Sequence, residues 1–272
     1  MNINLCPMKI KCIAFTILMS LILSCSDETN PSSDTSYFPI KTGNYWTYNY
    51  SSPTLNEIDS IYVSNDTLIE TITYNKFRSL NLPFGFYSNS LNKNSLRISS
   101  SKILLTGAVN YSLGNAIPIN FDISNFVIFD ELAATNKQLD FISGTISQQY
   151  ESYPLTIEYK LTSTALESLP TFTANSGTIY SDIKKVKTTL NIKITSSIVI
   201  AGLPNPVAFT LLNSQDVLTA IHYYSKNIGM VHTQTSLSYQ LQDFSQFNIS
   251  IPLPQSGSEV QQENLSTYLV NN

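Results

Sequence analysis

The chain has 272 residues, of which 42 % are hydrophobic and 12 % are charged, and its formal net charge at pH 7 is −4. Nucleic-acid-binding proteins carry basic patches, so a mildly acidic and sparsely charged chain excludes nucleic acid as the expected partner. The length allows one large domain or two small ones.

A short apolar segment near the N-terminus is typical of a secretory signal. Lys9 and Lys11 precede the uncharged segment from Cys12 to Leu23. A membrane-spanning helix needs about 20 apolar residues, so this segment is too short for a permanent span. We expect residues 1–24 to be a signal peptide, with Met8 as an alternative start of translation.

A cysteine stands where the apolar segment stops. Ile22, Leu23 and Ser24 precede Cys25, and this pattern resembles the bacterial lipobox. The resemblance implies that the Cys25 sulfur is diacylglycerated, that the signal is cut before Cys25, and that the new amino group is acylated. Two or three acyl chains anchor a protein firmly in a membrane, because each buried CH₂ contributes about 0.8 kcal/mol. The alternative is an ordinary Cys25 after a plain signal peptide.

The three cysteines do not form a disulfide framework. Cys6 and Cys12 lie before or within the signal peptide, so the mature chain keeps Cys25 alone. A lipidated Cys25 leaves no thiol for a disulfide, even in an oxidising compartment. The core alone must therefore stabilise the exported domain.

Residues 25–36 form a short polar segment with the composition of a flexible tether. Its first residues, Cys25 followed by Ser26, Asp27 and Glu28, resemble the acidic surface-export signal of Bacteroidota lipoproteins. The resemblance implies display on the outer face of the outer membrane. The alternative is a solvated linker on a protein that faces the periplasm.

The remaining chain, 37–272, alternates apolar and polar residues with a period of two. In the segment from Tyr153 to Thr162, Leu155, Ile157 and Leu161 fall on one face, and Glu158 and Lys160 fall on the other. The segment 185–194 follows the same pattern. Strands with one solvated face are typical of antiparallel sheets, so the sequence predicts an all-β fold.

Turn residues predict two hairpins and one helix. The strands on either side of Asn65 and Asp66 are expected to form a hairpin, as are those on either side of 227–229, where Gly229 allows a positive φ. The segment 130–138 is the one candidate for a short helix, with Asp130 as its cap. Composition does not shift along the domain, so we predict a single β domain over 37–272.

Several landmarks of this domain resemble, in order, those of a broad group of uncharacterised Bacteroidota lipoproteins. They are a Gly-x-x-Trp-x-Tyr first strand, a central Gly-x-hydrophobic strand, a Tyr-rich hairpin and a Leu-x-x-Tyr closing strand, seen here as "YFPIKTGNYWTYNY", "NSGTIYSDIKKVKTTLNI", "HYYSKNIGMVHTQT" and "ENLSTYLV". The resemblance implies a large, curved antiparallel sheet, an open or half barrel similar to that of the lipoprotein carriers, with at most one or two short helices. It implies no activity.

Few residues offer catalytic or metal-binding chemistry. His222 and His232 are placed on neighbouring strands of one hairpin, and the pattern around His232 predicts a solvated surface side chain. Trp46 is expected in the core, with stacking on a sugar as the alternative. The sequence contains no H-E-x-x-H, G-x-S-x-G or P-loop motif, so we expect no enzyme, metal or cofactor.

Two short segments resemble the Asp-(Ser/Thr)-hydrophobic acceptor of Bacteroidota O-glycosylation. They are Asp59 to Ile61 and Asp66 to Leu68, which makes Ser60 and Thr67 candidate modification sites. The alternative is that both are ordinary strand and turn residues.

Two functions remain after these exclusions, with an enzyme as a third alternative. The first is a non-catalytic surface module that binds a glycan or a protein partner. The second is a carrier that holds a lipid or another apolar ligand inside a half-open barrel. A carrier needs an unfilled apolar cavity of roughly several hundred Å³, whereas a binding module has a filled core. The sequence does not specify the oligomeric state.

Overall fold

A computed structural model describes residues 37–151, 153–198, 204–243 and 253–271. The predicted signal peptide (1–24) and the predicted tether with Cys25 (25–36) lie outside the described residues.

The described residues form twelve strands and one short helix. The elements are β1 (Tyr45–Ser51), β2 (Asn56–Ile69), β3 (Ile72–Arg78), α1 (Phe86–Leu91), β4 (Ser95–Ser99), β5 (Lys102–Leu113), β6 (Ile117–Asp130), β7 (Gln138–Tyr150), β8 (Tyr153–Thr173), β9 (Ile179–Ile198), β10 (Val207–Ser225), β11 (Gly229–Gln240) and β12 (Ser256–Leu269).

The strands make one antiparallel sheet that is nearly closed into a barrel. The order is β6-β5-β4-β3-β2-β1-β12-β11-β10-β9-β8-β7, so the first and last strands of the chain pair in the middle of the sheet. The prediction of an all-β fold with a large curved antiparallel sheet is confirmed. Strand content is 72 %.

Side chains bridge the seam between the two edge strands, β6 and β7. The Val127 N–H donates to the Asp140 carboxylate at 3.0 Å, and the Gln148 side-chain amide donates to the Pro118 carbonyl at 3.0 Å. Pro118 has no N–H to donate, which suits an edge strand. The seam is therefore joined at separate points by side chains.

Alternation along the long strands sets the inside and outside of the barrel. Leu155, Ile157 and Leu161 are buried on β8, as the sequence predicts. On the outer face Glu158 pairs with Lys193 of β9 at 2.7 Å. This pair is largely exposed, so it contributes little to stability.

The strand register distinguishes the two ends of the barrel. At one end, the Tyr37 end, Tyr37 packs on Phe129 of β6 with 5.6 Å between ring centroids, and Phe38 packs on Tyr224 of β10 at 5.3 Å. At the other end, the Gly114 end, the turn between β5 and β6 reaches across to the end of β11. The domain therefore begins at the end opposite to the Gly114 turn.

Trp46 belongs to the core, which confirms the prediction. Its side chain is 4 % exposed, and its indole N–H donates to the Ile228 carbonyl at 2.6 Å. Gly229 adopts a φ of 107° in the hairpin between β10 and β11, as predicted. A Cβ at Gly229 would lie 3.2 Å from the Trp46 nitrogen, so this glycine also makes room for the indole.

The predicted hairpin turn at Asn65 and Asp66 is wrong. Strand β2 continues through both residues to Ile69, and the turn lies at Glu70 and Thr71. A bulge after Val63 lets the strand pass through these two turn-forming residues. Asp66 accepts hydrogen bonds there from the Asn75 side-chain amide at 2.8 Å and from the Thr42 hydroxyl at 3.5 Å.

The predicted helix at 130–138 is also wrong. Asp130 ends β6, Gln138 begins β7, and the residues between them form turns. The Asp130 carboxylate accepts from the Leu132 N–H at 3.0 Å and so caps a turn instead of a helix. Leu132 is 81 % exposed, so a helix here would have no apolar face to bury. The helix of the structure is α1, which buries Tyr87, Ser88 and Leu91 inside the barrel.

Candidate functional site

A polar pocket of about 260 Å³ opens at the Gly114 end. It lies between the β5–β6 turn on one side and the adjoining ends of β11 and β12 on the other. Two tyrosines, four serines, one asparagine and one glutamate supply most of its lining. The lining residues are Tyr111, Ser112, Gly114, Asn115, Leu237, Ser238, Tyr239, Pro254, Ser256, Gly257, Ser258 and Glu259.

Two glycines hold Tyr239 in the wall of this polar pocket. A Cβ at Gly257 would lie 2.5 Å from the Tyr239 ring, and a Cβ at Gly114 would lie 2.6 Å from its hydroxyl. Any larger residue at these positions would displace the ring. Burial raises the pKa of the neighbouring Tyr111 to about 12, and its hydroxyl donates to the Val217 carbonyl at 3.4 Å.

The polar pocket carries one charged group. Glu259 is half-buried, and its Oε1 accepts from the Gln261 side-chain amide at 3.1 Å. In the described part of the chain no lysine or arginine lines the pocket. Hydroxyl, amide and carboxylate groups beside aromatic rings are the groups with which proteins bind sugars.

A second cluster of carboxylates lies inside the barrel, and sequence reasoning missed it. Glu263 of β12 accepts from the Tyr87 N–H at 2.9 Å, from the Ser88 N–H at 3.0 Å and from the Ser88 hydroxyl at 2.6 Å. Asp59 of β2 accepts from the Phe84 and Gly85 N–H groups at 2.9 and 2.7 Å. The two carboxylates therefore bind the backbone of residues 84–88, which we call the inner segment.

Burial controls the ionisation of both carboxylates. It raises the pKa of Glu263 to about 7, although the hydrogen bonds from Ser88 and Tyr87 offset part of the shift. It also raises the pKa of Asp59, against hydrogen bonds from Phe84 and Gly85. The burial of both carboxylates could have been predicted from the alternation of side chains along a strand. Glu263 shares a strand face with the apolar Leu265, and Asp59 shares one with Ile61.

The two histidines lie on neighbouring strands, as predicted, but the predicted exposure of His232 is wrong. His232 is 9 % exposed, and its Nδ1 lies 2.8 Å from the Asn264 side-chain oxygen. Phe172, from the far end of the long strand β8, stacks on its ring at 5.2 Å between centroids. The Phe172 ring thus covers His232 on the face of β11 that the alternation of apolar and polar residues predicts to be solvent-exposed.

His222 is fully buried among the aromatic rings of the core. Its Nδ1 lies 3.0 Å from the Thr233 hydroxyl, and the Tyr87 ring is 5.5 Å away between centroids. Burial lowers the pKa of His222 to about 3, with His232 as a second contribution, so the ring is neutral. The described residues contain no group of three His, Cys, Asp or Glu side chains that would hold a metal ion.

The sequence-predicted modification sites are not brought together. Cys25, Ser26, Asp27 and Glu28 lie outside the described residues, so lipidation and export stay predictions. Ser60 and Thr67 both lie within β2 and are half-buried, and their O-glycosylation also stays a prediction.

Ser60 lines an outer groove of about 360 Å³ on the convex side of β1 and β2. Tyr45 and Tyr62 face each other across the two strands in this groove, and Leu80 covers one side. The Ser60 hydroxyl accepts from the Leu80 N–H at 3.1 Å, and this bond occupies the oxygen that a glycan would modify.

Among the described residues, aromatic rings pack the interior of the barrel beside α1. Rings of Tyr48, Tyr87, Tyr224 and Phe129 pack in sequence with centroid separations of 5.1 to 6.4 Å. The cavity beside α1 has a volume of about 40 Å³. That volume holds a few water molecules at most, far below the several hundred Å³ of a ligand cavity.

Comparisons with known proteins assign no family. No protein-family model matches the chain, and no curated protein matches it. Among solved structures the chain is similar to a "putative lipoprotein" from Parabacteroides distasonis, with 10 % identity and a TM-score of 0.37. The match covers 86 % of this chain and 98 % of that one. Similarity at this level carries no information on function.

α1 is not long and apolar enough to cross a membrane, and it is the one helix among the described residues.

Proposed function

We propose that the protein is a lipid-anchored, non-catalytic module that binds a glycan in the polar pocket at the Gly114 end. The anchor is Cys25, on the strength of the lipobox-like sequence, and the acidic residues Asp27 and Glu28 direct the protein to the outer face of the outer membrane. The described domain begins at the Tyr37 end, and the polar pocket lies at the opposite end of the barrel.

The polar pocket is the observation that carries this proposal. Sugars bind through hydrogen bonds to their hydroxyl groups and through contact of their apolar faces with aromatic rings. Tyr239 and Glu259 lie on one face of the β11–β12 ladder, Tyr111 and Asn115 line the pocket from the opposite wall, and Ser238, Ser256 and Ser258 line it from the alternate strand positions. A volume of about 260 Å³ fits one or two sugar units.

The packing of the described interior beside α1 favours this module over a carrier of an apolar ligand. A carrier requires an empty apolar cavity, and the space beside α1 is about 40 Å³. The buried carboxylates do not favour catalysis, because Asp59 and Glu263 are both occupied by backbone N–H groups of the inner segment. Neither group reaches the polar pocket lining.

A glycan array probed with the soluble domain, residues 37–272, tests the proposal. We expect binding by the wild type and its loss in Glu259→Tyr, because Glu259 lies on the same face of the β11–β12 ladder as Tyr239, so a large ring there fills the pocket. The matched control is Ser143→Tyr, an exposed serine on β7 that lies outside the pocket. Circular dichroism and the thermal midpoint establish that both variants fold.

Two results would contradict the proposal. One is an array on which the wild type binds nothing. The other is equal binding by the wild type and the folded Glu259→Tyr variant, which would place any glycan elsewhere on the surface.

A further inference from the structure

Resting on the proposed glycan-binding role of the polar pocket, we infer that the pocket takes saccharides without negative charge and that Glu259 determines this specificity. Neutral and amino sugars are accepted, and sugars that carry a carboxylate or a sulfate are rejected.

The position of Glu259 supports this specificity. Its side chain lines the pocket and is half-buried, so its charge is only partly screened by water. Among the described residues, Gln261 alone donates to this carboxylate, and it does so to Oε1. The other carboxylate oxygen is left to accept from a ligand hydroxyl or amino group.

The described lining offers no opposite charge. No lysine or arginine lines the polar pocket in the part of the chain that the structure describes, so an anion entering it would meet the Glu259 carboxylate without a cation to neutralise it.

Like charges in a half-buried site repel strongly enough to set specificity. Two negative charges about 6 Å apart, at an effective dielectric constant of about 40, reduce binding roughly tenfold. An ammonium group at the same place would be attracted by a similar factor. A neutral sugar loses nothing, because its hydroxyl groups donate to the carboxylate.

The test compares one sugar in three forms. The sugar that binds best on the array is titrated as the neutral hexose, the 2-amino hexose and the corresponding hexuronate, using the wild-type domain and Glu259→Gln. In the wild type we expect the hexuronate to bind at least about tenfold more weakly than the neutral form. In Glu259→Gln that ratio should fall to about threefold or less. Glu70→Gln, an exposed carboxylate in the β2–β3 turn, should keep the wild-type ratio.

The outcomes separate this inference from the proposed function. If no sugar binds, both fail. If the hexuronate binds the wild type as tightly as the neutral form, or if Glu259→Gln keeps the full discrimination, the charge specificity is wrong while glycan binding stands. A discrimination that disappears only in Glu259→Gln supports the assignment.

Discussion

Replacement of Glu263 by glutamine should change how stability depends on pH. Glu263 has a folded-state pKa of about 7, against an ordinary value of 4.5. Its pKa is raised in the folded state, so between these values the folded protein holds a proton that the unfolded chain releases. The resulting stabilisation is complete below pH 4.5 and is lost as the pH rises through 7.

The size of the effect follows from the shift. Each pKa unit corresponds to about 1.4 kcal/mol, so the Glu263 contribution decreases by roughly 2 to 3 kcal/mol between pH 5 and pH 8. His222 acts in the opposite direction. Its folded-state pKa of about 3 lies below its ordinary 6.5, so its burial destabilises the protein by roughly 2 kcal/mol more at pH 5 than at pH 8.

These two groups nearly cancel in the wild type. Asp59, with a raised pKa, adds to the Glu263 effect, and His232, with a lowered pKa, adds to the His222 effect. We therefore expect the free energy of unfolding of the wild type to vary little between pH 5 and pH 8. Glu263→Gln removes the Glu263 contribution and leaves that of His222. The free energy of unfolding of this variant should therefore fall by roughly 2 kcal/mol on acidification from pH 8 to pH 5.

Urea unfolding followed by tryptophan fluorescence measures this directly, because Trp46 is the one tryptophan and is buried in the core. The decisive quantity is the difference in unfolding free energy between the wild type and Glu263→Gln, which should be roughly 2 to 3 kcal/mol larger at pH 5 than at pH 8. The control Glu70→Gln should show the same small difference at both pH values. A pH-independent gap for Glu263→Gln would refute the reasoning.

Three other predictions test the anchor, the display and the inner segment. Labelled palmitate should enter the wild type and be absent from Cys25→Ala, and label in that variant would refute lipidation. Proteinase added to whole cells should digest the wild type and spare the variant with Asp27 and Glu28 replaced by alanine, whereas a protected wild type would place it in the periplasm. Gly85→Ala should destabilise the domain by about 3 kcal/mol in urea unfolding, because its Cβ would overlap the Glu263 carboxyl group and leave buried N–H groups unpaired. An unchanged midpoint would contradict that contact.

The strands were predictable because alternation is a local property of the sequence. Leu155, Ile157 and Leu161 each need only a neighbouring strand to be buried, whichever strand that is. The burial of His232 was not predictable in this way, because Phe172 covers its ring from a strand about sixty residues earlier in the chain. Alternation tells which face a residue takes but not what else covers that face.

The polar pocket was beyond sequence reasoning for a similar reason. Tyr239 and Glu259 were visible as members of alternating strands, but the partner wall comes from the β5–β6 turn, more than one hundred residues away along the chain. Gly114 leaves room for the Tyr239 hydroxyl, because a side chain at position 114 would occupy the same space. No local sequence pattern identifies a glycine that is needed because a tyrosine of a distant strand packs against it.

Helix α1 was also unpredictable from local sequence, because the residues that stabilise it lie far away along the chain. α1 has six residues, too few to be stable alone, and its N-cap residue, Gly85, makes no side-chain cap hydrogen bond. The caps come from Glu263 and Asp59, and the Ser88 hydroxyl completes the contact with Glu263 across 175 residues of sequence. The native pairing of β12 with β1 places Glu263 beside the inner segment, so the stability of this helix depends on that pairing. A helix with such a cap carries no start signal of its own, and that is why the sequence pointed to Asp130 instead.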